Sequence, residues 1–406
     1  MKVTFYWNFL NHHQVSVADA MYELLGEDFR FVATLMRDER ELKGGVDYST
    51  RPYCILAGES EEAHREAMRL AVESDVCVFG ACSQEYAIKR AQVKPEKLAF
   101  ECGERWLKRG WVNVLSPNLR AWWLNYMRYY RHANFYKLCS SAYTAVDDVR
   151  LFAYKGRHFK WGYFTCVDAS GEFGNERFRE LGNRGTRDLT SEARKNCVET
   201  SEDVSTTENK SATILWCARF LSWKHPELAV RLAERLKKVG YQFHLDFIGS
   251  GEQLKPTEML AERLELRDCI SFLDNMPNAE VLQQMRQHDI FLFTSDKNEG
   301  WGAVANEAMS NGCCLLGSDA IGSVPYLVTD GATGMIFKSC DLDSLYEKVK
   351  YLLDNPEERQ RMARDGQIRL QKVWSPENAA KSLLQLIDDL QHGRQTSILQ
   401  GPCSKA

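Results

Sequence analysis

The residues whose types and spacing could bind a ligand are concentrated between 289 and 319. It is read as a strand over 289–295, a glycine turn Glu299-Gly-Trp-Gly302, a helix over 303–310 and a further strand. A strand that enters a helix through such a turn leaves backbone N–H groups free at the helix start, where the helix dipole adds roughly half a positive charge. That position favours a phosphate. Helical side chains lean toward the N-terminus, so Glu307 can reach back beside Glu299. Two acids next to an anion site predict contacts with sugar hydroxyls.

The elements that must position this stretch belong to a pattern of alternating strands and helices. With 406 residues the chain is long enough for two domains. Alternation of this kind predicts α/β domains in which helices wrap a parallel sheet, and two of them in tandem imply a cleft. We predict an N-terminal Rossmann-like acceptor domain over 1–168 and a C-terminal Rossmann-like donor domain over 212–374. The remaining segments are predicted to be a polar linker over 169–211, a helix over 375–391 that crosses back to the N-terminal domain, and a disordered tail over 392–406.

Composition narrows the class of protein. Hydrophobic residues make up 44% and charged residues 27% of the chain, as in a soluble globular protein, and a net charge of -4 gives no reason to expect nucleic acid. The 13 cysteines are scattered without CxxC spacing, which indicates buried thiols in a reducing compartment. The first residues turn polar too soon for a signal peptide, and no apolar run approaches the ~20 residues of a membrane-spanning helix. We therefore expect a cytoplasmic protein.

Three motifs in the C-terminal half resemble the retaining GT-B glycosyltransferases of the glycosyl transferases group 1 family, also called glycosyltransferase family 4-like. Glu299 to Glu307 resembles the E-x7-E signature of that family, and the residues up to Asp319 resemble its usual continuation. Arg219 to Lys224 has the Arg-x4-Lys spacing after the first strand of the domain, and Gly331-Ala-Thr-Gly334 resembles the turn that follows. The resemblance implies a GT-B fold and a nucleotide-sugar donor.

The same resemblance assigns roles within the donor site. Arg219 and Lys224 would hold the leaving diphosphate, and their charges could replace a metal ion. Glu307 would bind the ribose diol and Glu299 the hydroxyls of the transferred hexose. Two surface cations and a solvated helix acid are the ordinary alternatives. The predicted catalytic residues are Arg219, Lys224 and Glu299, and the predicted donor-binding residues are Gly249, Gly300, Trp301, Gly302, Ala303, Val304 and Glu307.

One pair of acids has the spacing of a metal motif. Asp341-Leu-Asp343 spells the DxD with which other glycosyltransferases bind a divalent ion. It stands at the start of a predicted helix, where N-capping by Asp341 is the better explanation. We predict no metal site and no cofactor beyond the donor substrate.

The acceptor side of the cleft is less specific. His12 and His13 follow the first strand, at the carboxyl end where open sheets bind ligands, and Glu104 and Arg105 follow a later strand. We predict that these four residues face the acceptor, while a loop histidine with no role remains the alternative. A retaining enzyme needs no separate base, because the departing phosphate oxygen can take the acceptor's proton. An inverting enzyme would need one, and His12, His13 or Glu104 would be the candidates.

A cationic, aromatic segment lies between residues 105 and 137. It carries arginines, lysines, tryptophans and tyrosines but no acid. This pattern fits a surface that docks on anionic lipid at the inner face of the membrane, and it also fits a core helix with a cationic outer side. A nucleic-acid surface is the weakest of the three explanations.

The function predicted is transfer of a hexose-type sugar, with retention, from a nucleotide-diphosphate sugar to a glycan or a lipid-linked acceptor. The resemblance to bacterial surface-polysaccharide transferases places this reaction in cell-surface polysaccharide synthesis. Two alternatives stay open. One is a GT-B nucleotide-sugar hydrolase, epimerase or phosphorylase, and the other is a catalytically silent scaffold subunit that binds nucleotide sugar.

Overall fold

The computed structural model describes residues 1–35, 48–165 and 211–406, and within them the chain forms two parallel sheets. The predicted α/β fold class is confirmed. The predicted linker over 169–211 lies outside the described residues except for Ser211. In these ranges no helix is both long and apolar enough to cross a membrane.

The N-terminal sheet has the order β3-β2-β1-β4-β5-β6-β7 in the described residues. Its inner strand β1 is buried along its whole length, because helices cover both faces of the sheet. The sequence did not predict β6 or β7. The strands are β1 Val3–Trp7, β2 Phe29–Ala33, β3 Cys54–Leu56, β4 Val76–Phe79, β5 Ala99–Gly103, β6 Phe135–Cys139 and β7 His158–Lys160; the helices are α1 Val15–Leu25, α2 Glu61–Glu73, α3 Gln84–Val93, α4 Pro117–Arg128 and α5 Thr144–Arg150.

The C-terminal sheet has the order β10-β9-β8-β11-β12-β13 in the described residues. Chain order reverses at β8, so the loops after β8 and β11 diverge and open a crevice at the carboxyl ends of the strands. The strands are β8 Ala212–Cys217, β9 Phe243–Ile248, β10 Ile270–Leu273, β11 Ile290–Phe293, β12 Cys314–Ser318 and β13 Met335–Phe337; the helices are α6 Pro226–Lys238, α7 Leu254–Arg263, α8 Asn278–Gln287, α9 Val304–Ser310, α10 Val324–Leu327, α11 Leu342–Asp354, α12 Pro356–Lys372 and α13 Pro376–Gln391.

The C-terminal end of the chain returns to the N-terminal domain. Helix α13 packs against α1, and its N-cap Ser375 accepts a hydrogen bond from the backbone N–H of Asn378 at 3.1 Å. The predicted disorder of 392–406 is wrong. Cys403 is fully buried, and its N–H donates to the carbonyl of Lys160 in β7 at 2.7 Å. The tail thereby covers the outer edge of β7, a backbone pairing that hydrophobic periodicity does not reveal.

The two domains meet along a seam beside the glycine turn. The backbone N–H of Ala142 donates to the carbonyl of Gly322 at 2.9 Å. The amide of Asn306 donates to the carbonyl of Tyr163 at 3.2 Å. Trp301 is fully buried at this seam, and a Cβ on Gly162 would lie 2.6 Å from its ring. The turn that carries Glu299 is therefore anchored to both domains.

Candidate donor and acceptor site

Lys224 and Glu299 come together at the carboxyl end of the C-terminal sheet. Lys224 ends a 3-10 helix that follows β8, and its ammonium donates to Glu299 Oε2. Ser295 Oγ donates to the same oxygen at 3.0 Å. The two charged side chains are only 11% and 12% exposed, so each depends on the other for its charge balance.

A buried hydroxyl fixes the loop after β8 to the end of β11. Thr294 Oγ1 donates to the carbonyl of Lys224 at 2.6 Å and accepts from Trp216 Nε1 at 2.8 Å. Both bonds are buried, where a missing partner would be costly. The position of Lys224 relative to Glu299 is thus set by the sheet.

Arg219 differs from Lys224 in its surroundings. It lies two residues after Cys217, the last residue of β8, and is exposed. Within the described part of the chain, its guanidinium makes no hydrogen bond or ion pair. A planar guanidinium that is always charged and is not neutralised by a neighbouring acid is suited to bind a diphosphate.

Glu307 lies in α9, one helix turn after its N-cap residue Ala303. Burial raises the pKa of Glu307 to about 7. The pKa of the Cys217 thiol at the end of β8 is raised to about 12, first by burial and then by the charge of Glu307. Glu307 therefore faces the end of β8 without an ion-pair partner among the described residues, where it could accept hydrogen bonds from a diol.

Glycines permit the close approaches around this site. A Cβ on Gly249 would lie 2.1 Å from the carbonyl oxygen of Ala218, so the chain after β9 passes directly against the chain after β8. Gly302 has a φ of +81°, and a Cβ there would lie 2.6 Å from the Phe293 ring. Only glycine fits the turn at these two points.

The predicted donor residues are not all placed alike. Gly300, Gly302, Ala303 and Val304 lie on the turn and at the start of α9. The side chain of Trp301, by contrast, is fully buried and its Nε1 donates to Asn306 at 2.8 Å, so only its backbone is open to a ligand.

Glu104 crosses the seam from the N-terminal domain. It follows β5, accepts from Tyr163 at 2.7 Å and from Lys108 at 2.9 Å, and its carboxylate fills the space where a Cβ on Gly300 would stand, 1.6 Å from Oε2. Burial raises the pKa of Tyr163 well above its usual value, and Glu104 and, more weakly, Glu299 add to the shift. The two acids therefore approach the same phenol from opposite domains.

Arg105 is positioned as an internal cation. It bonds Asp147 at 3.1 Å and lies over the ring of Tyr143 at 4.7 Å. Since its charge is already balanced, it supports the wall of the cleft beside Glu104.

The histidine pair follows β1. Burial lowers the pKa of His12, and burial together with His12 lowers that of His13 to about 3. The ring of His13 stacks on Tyr163 at 5.3 Å between centroids. An imidazole with so low a pKa is a weak base at neutral pH, which disfavours His13 as the base of an inverting reaction.

The DxD sequence has the predicted local structure. Asp341 is the N-cap of α11 and accepts from the backbone N–H of Ser344 at 3.0 Å. The N-capping interpretation is confirmed, while the absence of a metal requirement stays a prediction.

Sequence reasoning missed Tyr163 and Lys108, which hold Glu104. Lys108 belongs to the cationic segment 105–137 and lies four residues after Glu104. Tyr163 lies 59 residues from Glu104, and only folding brings the two together.

Comparison with known proteins gives a family match for part of the chain. Residues 198–369 match the family model Glycosyl transferases group 1. A D-inositol 3-phosphate glycosyltransferase of Corynebacterium glutamicum is 31% identical over 130 residues, 32% of this chain and 30% of that protein. A poly(glycerol-phosphate) alpha-glucosyltransferase of Bacillus subtilis is 27% identical over 177 residues, 42% of this chain and 25% of that protein. The chain thus spans a third or less of the length of these two curated relatives.

Solved structures match over nearly the whole chain. HepE of Anabaena, in complex with UDP, has a TM-score of 0.66 at 14% identity and covers 96% of this chain and 100% of that one. The sucrose-phosphate synthase of Thermosynechococcus elongatus has a TM-score of 0.63 at 14% identity, covering 97% and 100%. At such identity the likeness concerns the fold. Residues 198–369 are therefore similar to the glycosyl transferases group 1 family, within a chain that has the GT-B fold.

Proposed function

We propose that this protein transfers a hexose-type sugar from a nucleotide-diphosphate sugar to a glycan or lipid-linked acceptor, with retention of anomeric configuration, in cell-surface polysaccharide synthesis. The observation that carries the proposal is the convergence of Arg219, Lys224, Glu299 and Glu307 on one crevice of a group 1 domain. UDP bound to HepE, which shares the fold, supports a nucleotide ligand.

In the proposed reaction the two cations act on the leaving group. Arg219 and Lys224 stabilise the negative charge that grows on the diphosphate as the sugar–oxygen bond breaks. Lys224 exchanges part of its contact with Glu299 for the phosphate, which leaves Glu299 free to accept from a sugar hydroxyl. These two cations supply the positive charge, so the proposal includes no metal ion.

Retention follows from attack on the face that the diphosphate leaves. The acceptor oxygen forms the new bond to the anomeric carbon while the bond to phosphate breaks, and the electron pair of that bond goes to the diphosphate. The hydroxyl proton goes to the departing phosphate oxygen. The pKa of about 3 for His13 supports this route, because no strong base is needed at that position.

The proposal places the reaction in the cytoplasm, at the inner membrane face. The 3-10 helix Gly110–Leu115 exposes Trp111, Val112 and Leu115 by 64%, 66% and 67%. Arg109 and Arg120 flank it, and no acid lies between residues 105 and 137. Helix α4 of the same segment buries Leu119, Trp122 and Tyr126, as a core helix does. The exposed apolar side chains of the 3-10 helix, beside cations, fit an anionic lipid surface better than a nucleic acid.

The donor site is tested by thermal shift with a panel of nucleoside diphosphates and their sugars. We expect stabilisation by at least one nucleotide, and its loss in Arg219→Ala and in Glu307→Ala. Arg231→Ala, on the exposed side of α6, serves as the matched control. Absence of stabilisation by every nucleotide would refute the donor site. NMR of the product's anomeric proton then tests retention, and release of free sugar without acceptor transfer would favour a hydrolase.

A further inference from the structure

An exposed thiol stands at the carboxyl edge of the C-terminal sheet, outside the motifs of the donor site. Cys340 lies in the loop between β13 and α11, and among the described residues it is the one cysteine that is exposed. The predicted burial of the thiols is therefore wrong for this residue. The backbone N–H of Ser339 donates to Asp319 Oδ1 at 2.9 Å, which holds the loop to the end of β12. A thiol that solvent can reach is open to chemical modification.

A histidine lies against this thiol. Cys340 Sγ and His225 Nε2 are 3.4 Å apart, within hydrogen-bond distance for sulfur. His225 connects the 3-10 helix Ser222–Lys224 to α6 and has a φ of +49°. The two residues are 115 positions apart in the chain, so only the fold brings the imidazole to the thiol.

Two carboxylates orient the imidazole. Glu227 Oε1 lies 2.9 Å from His225 Nδ1, and Asp296 Oδ2 lies 3.4 Å from Nε2. Because a carboxylate accepts, Nδ1 carries a proton, and a neutral imidazole keeps Nε2 as the acceptor for the thiol proton. The hydrogen bond to Glu227 raises the pKa of His225, and Asp296 adds to the rise. An imidazolium beside a thiol favours the thiolate, which is the nucleophilic form.

The imidazole is connected to the donor crevice through the backbone. His225 directly follows Lys224, whose ammonium donates to Glu299. The backbone N–H of Asp296 donates to the carbonyl of Trp223 at 3.0 Å, and the carbonyl of Asp296 accepts from the N–H of Glu299 at 3.0 Å. A displacement of the imidazole therefore acts on both partners of the donor-site ion pair.

We propose that Cys340 and His225 form a peroxide-reactive pair, and that oxidation of Cys340 weakens the binding of a nucleoside diphosphate at Lys224. The thiol proton passes to His225 Nε2, and the sulfur attacks one oxygen of hydrogen peroxide. The S–O bond forms as the O–O bond breaks, and the leaving hydroxide takes the proton from the imidazolium and departs as water. The sulfur is oxidised to a sulfenic acid and the peroxide is reduced.

The added oxygen changes the contact between Cys340 and the imidazole. A sulfenic acid is larger than a thiol and donates a stronger hydrogen bond, so His225 moves from its present position between sulfur and Asp296. Lys224 then shifts relative to Glu299 and to the phosphate. Reduction by a thiol reverses the oxidation. The effect on the donor rests on the proposed function, whereas the reactivity of the pair does not.

Dimedone trapping on the full chain tests the reactivity. The reduced protein is treated with hydrogen peroxide, and peptide mass spectrometry measures the label at each cysteine. We expect Cys340 to be labelled faster than the other cysteines of the described ranges. Its rate should fall about tenfold or more in His225→Asn, which removes the proton acceptor and tolerates the left-handed backbone. His392→Asn, in the C-terminal tail and paired with Asp388, is the matched control and should keep the parent rate.

Thermal shift with nucleoside diphosphates on the same samples tests the coupling. We expect oxidation to reduce the stabilisation of the parent by nucleotide, and dithiothreitol to restore it. Cys340→Ser should be stabilised by nucleotide as the reduced parent is, and peroxide should not change that stabilisation. The difference between parent and variant separates oxidation of Cys340 from oxidation elsewhere in the chain.

Three results would overturn the proposal: labelling of Cys340 no faster than that of the buried cysteines, an unchanged rate in His225→Asn, or nucleotide stabilisation of the parent that oxidation leaves unchanged. If His225→Asn does not fold, Glu227→Gln replaces it, since loss of the carboxylate that orients the imidazole should also slow labelling. Absence of stabilisation by every nucleotide in the reduced parent refutes the donor site and the coupling with it, whereas the labelling rates still decide the reactivity of the pair.

Discussion

Glu307 is a carboxylate kept in a place that disfavours its charge. Burial raises its pKa from 4.5 to about 7, so between these values the folded protein binds more protons than the unfolded chain. Stability contributed by this group is full below pH 4.5 and is lost as pH rises through about 7. A residue that weakens the fold at neutral pH is consistent with a binding role.

We predict that Glu307→Gln stabilises the protein at pH 8 by about 1–3 kcal/mol and flattens the decline in stability between pH 5 and 8. The amide keeps the size of the side chain but carries no charge to desolvate. Urea midpoints at pH 5, 6, 7 and 8 measure the effect. Glu280→Gln, exposed on α8, is the control. A variant less stable than the parent at pH 8 would contradict the expectation.

The ion pair of Lys224 and Glu299 has the opposite effect on the fold. Both side chains are about nine-tenths buried, so removing one partner leaves the other charge uncompensated. We expect Lys224→Met to destabilise the protein by about 3–5 kcal/mol and Lys224→Met with Glu299→Leu by less than the sum of the two single changes. Chemical unfolding of the four proteins measures the coupling.

Measuring transfer activity distinguishes a catalytic role of this ion pair from a purely structural one. Under the proposed function the double variant regains folding but not transfer, and its turnover should fall by at least about a hundredfold. If the double variant recovers both its stability and its transfer activity, the ion pair has only a structural role.

At the scale of elements, the 3-10 helix Gly110–Leu115 carries the membrane proposal. We predict that Trp111→Ser with Leu115→Ser reduces co-sedimentation with anionic vesicles, because both side chains are exposed and would insert their apolar surface. Neutral vesicles and high salt should reduce binding of the parent in the same assay.

Leu399→Ser is the matched control for that experiment. Leu399 is 93% exposed but lies in the C-terminal tail, outside the cationic segment 105–137. If the parent fails to bind anionic vesicles at low salt, or if the control loses binding as well, the 3-10 helix is not a lipid-docking surface.

Elements with a clear periodic pattern were predictable. The strands around Glu299 and the amphipathic helix α6 follow from apolar spacing alone. Strand β6 was missed because Lys137 stands in the middle of it, and its ion pair with Glu101 at 3.0 Å helps to make that buried position tolerable. The strand β7 has three residues and the tail pairs with it through backbone bonds, so neither has a side-chain pattern to detect.

At the scale of the whole molecule, two domains and the cleft between them could be predicted, but the contacts across the cleft could not. The donor crevice is assembled within one domain from segments whose motif spacing is local. The approach of Glu104 to Gly300, and the support of Glu104 by Tyr163, depend on how the domains dock. Docking is a long-range packing result, and no local propensity encodes it.

Gly322 makes that docking testable. Its backbone is so close to the turn that a Cβ there would lie 1.8 Å from the carbonyl oxygen of Gly300 and 2.5 Å from Ser141 Oγ of the other domain. A backbone atom cannot yield as a flexible side chain can, so Gly322→Ala should push the seam apart rather than repack locally. We expect a larger radius of gyration by small-angle X-ray scattering and a loss of transfer.

Nucleotide binding should survive in the same variant, because Arg219, Lys224 and Glu307 all belong to the C-terminal domain. Ser141→Ala is the control, since it removes the opposing hydroxyl without adding bulk and should keep the parent radius. Thermal shift with the stabilising nucleotide and transfer rate, measured on one preparation, distinguish the outcomes. Loss of nucleotide binding together with an unchanged radius would show that Gly322 acts on the donor turn directly and not through the domain seam.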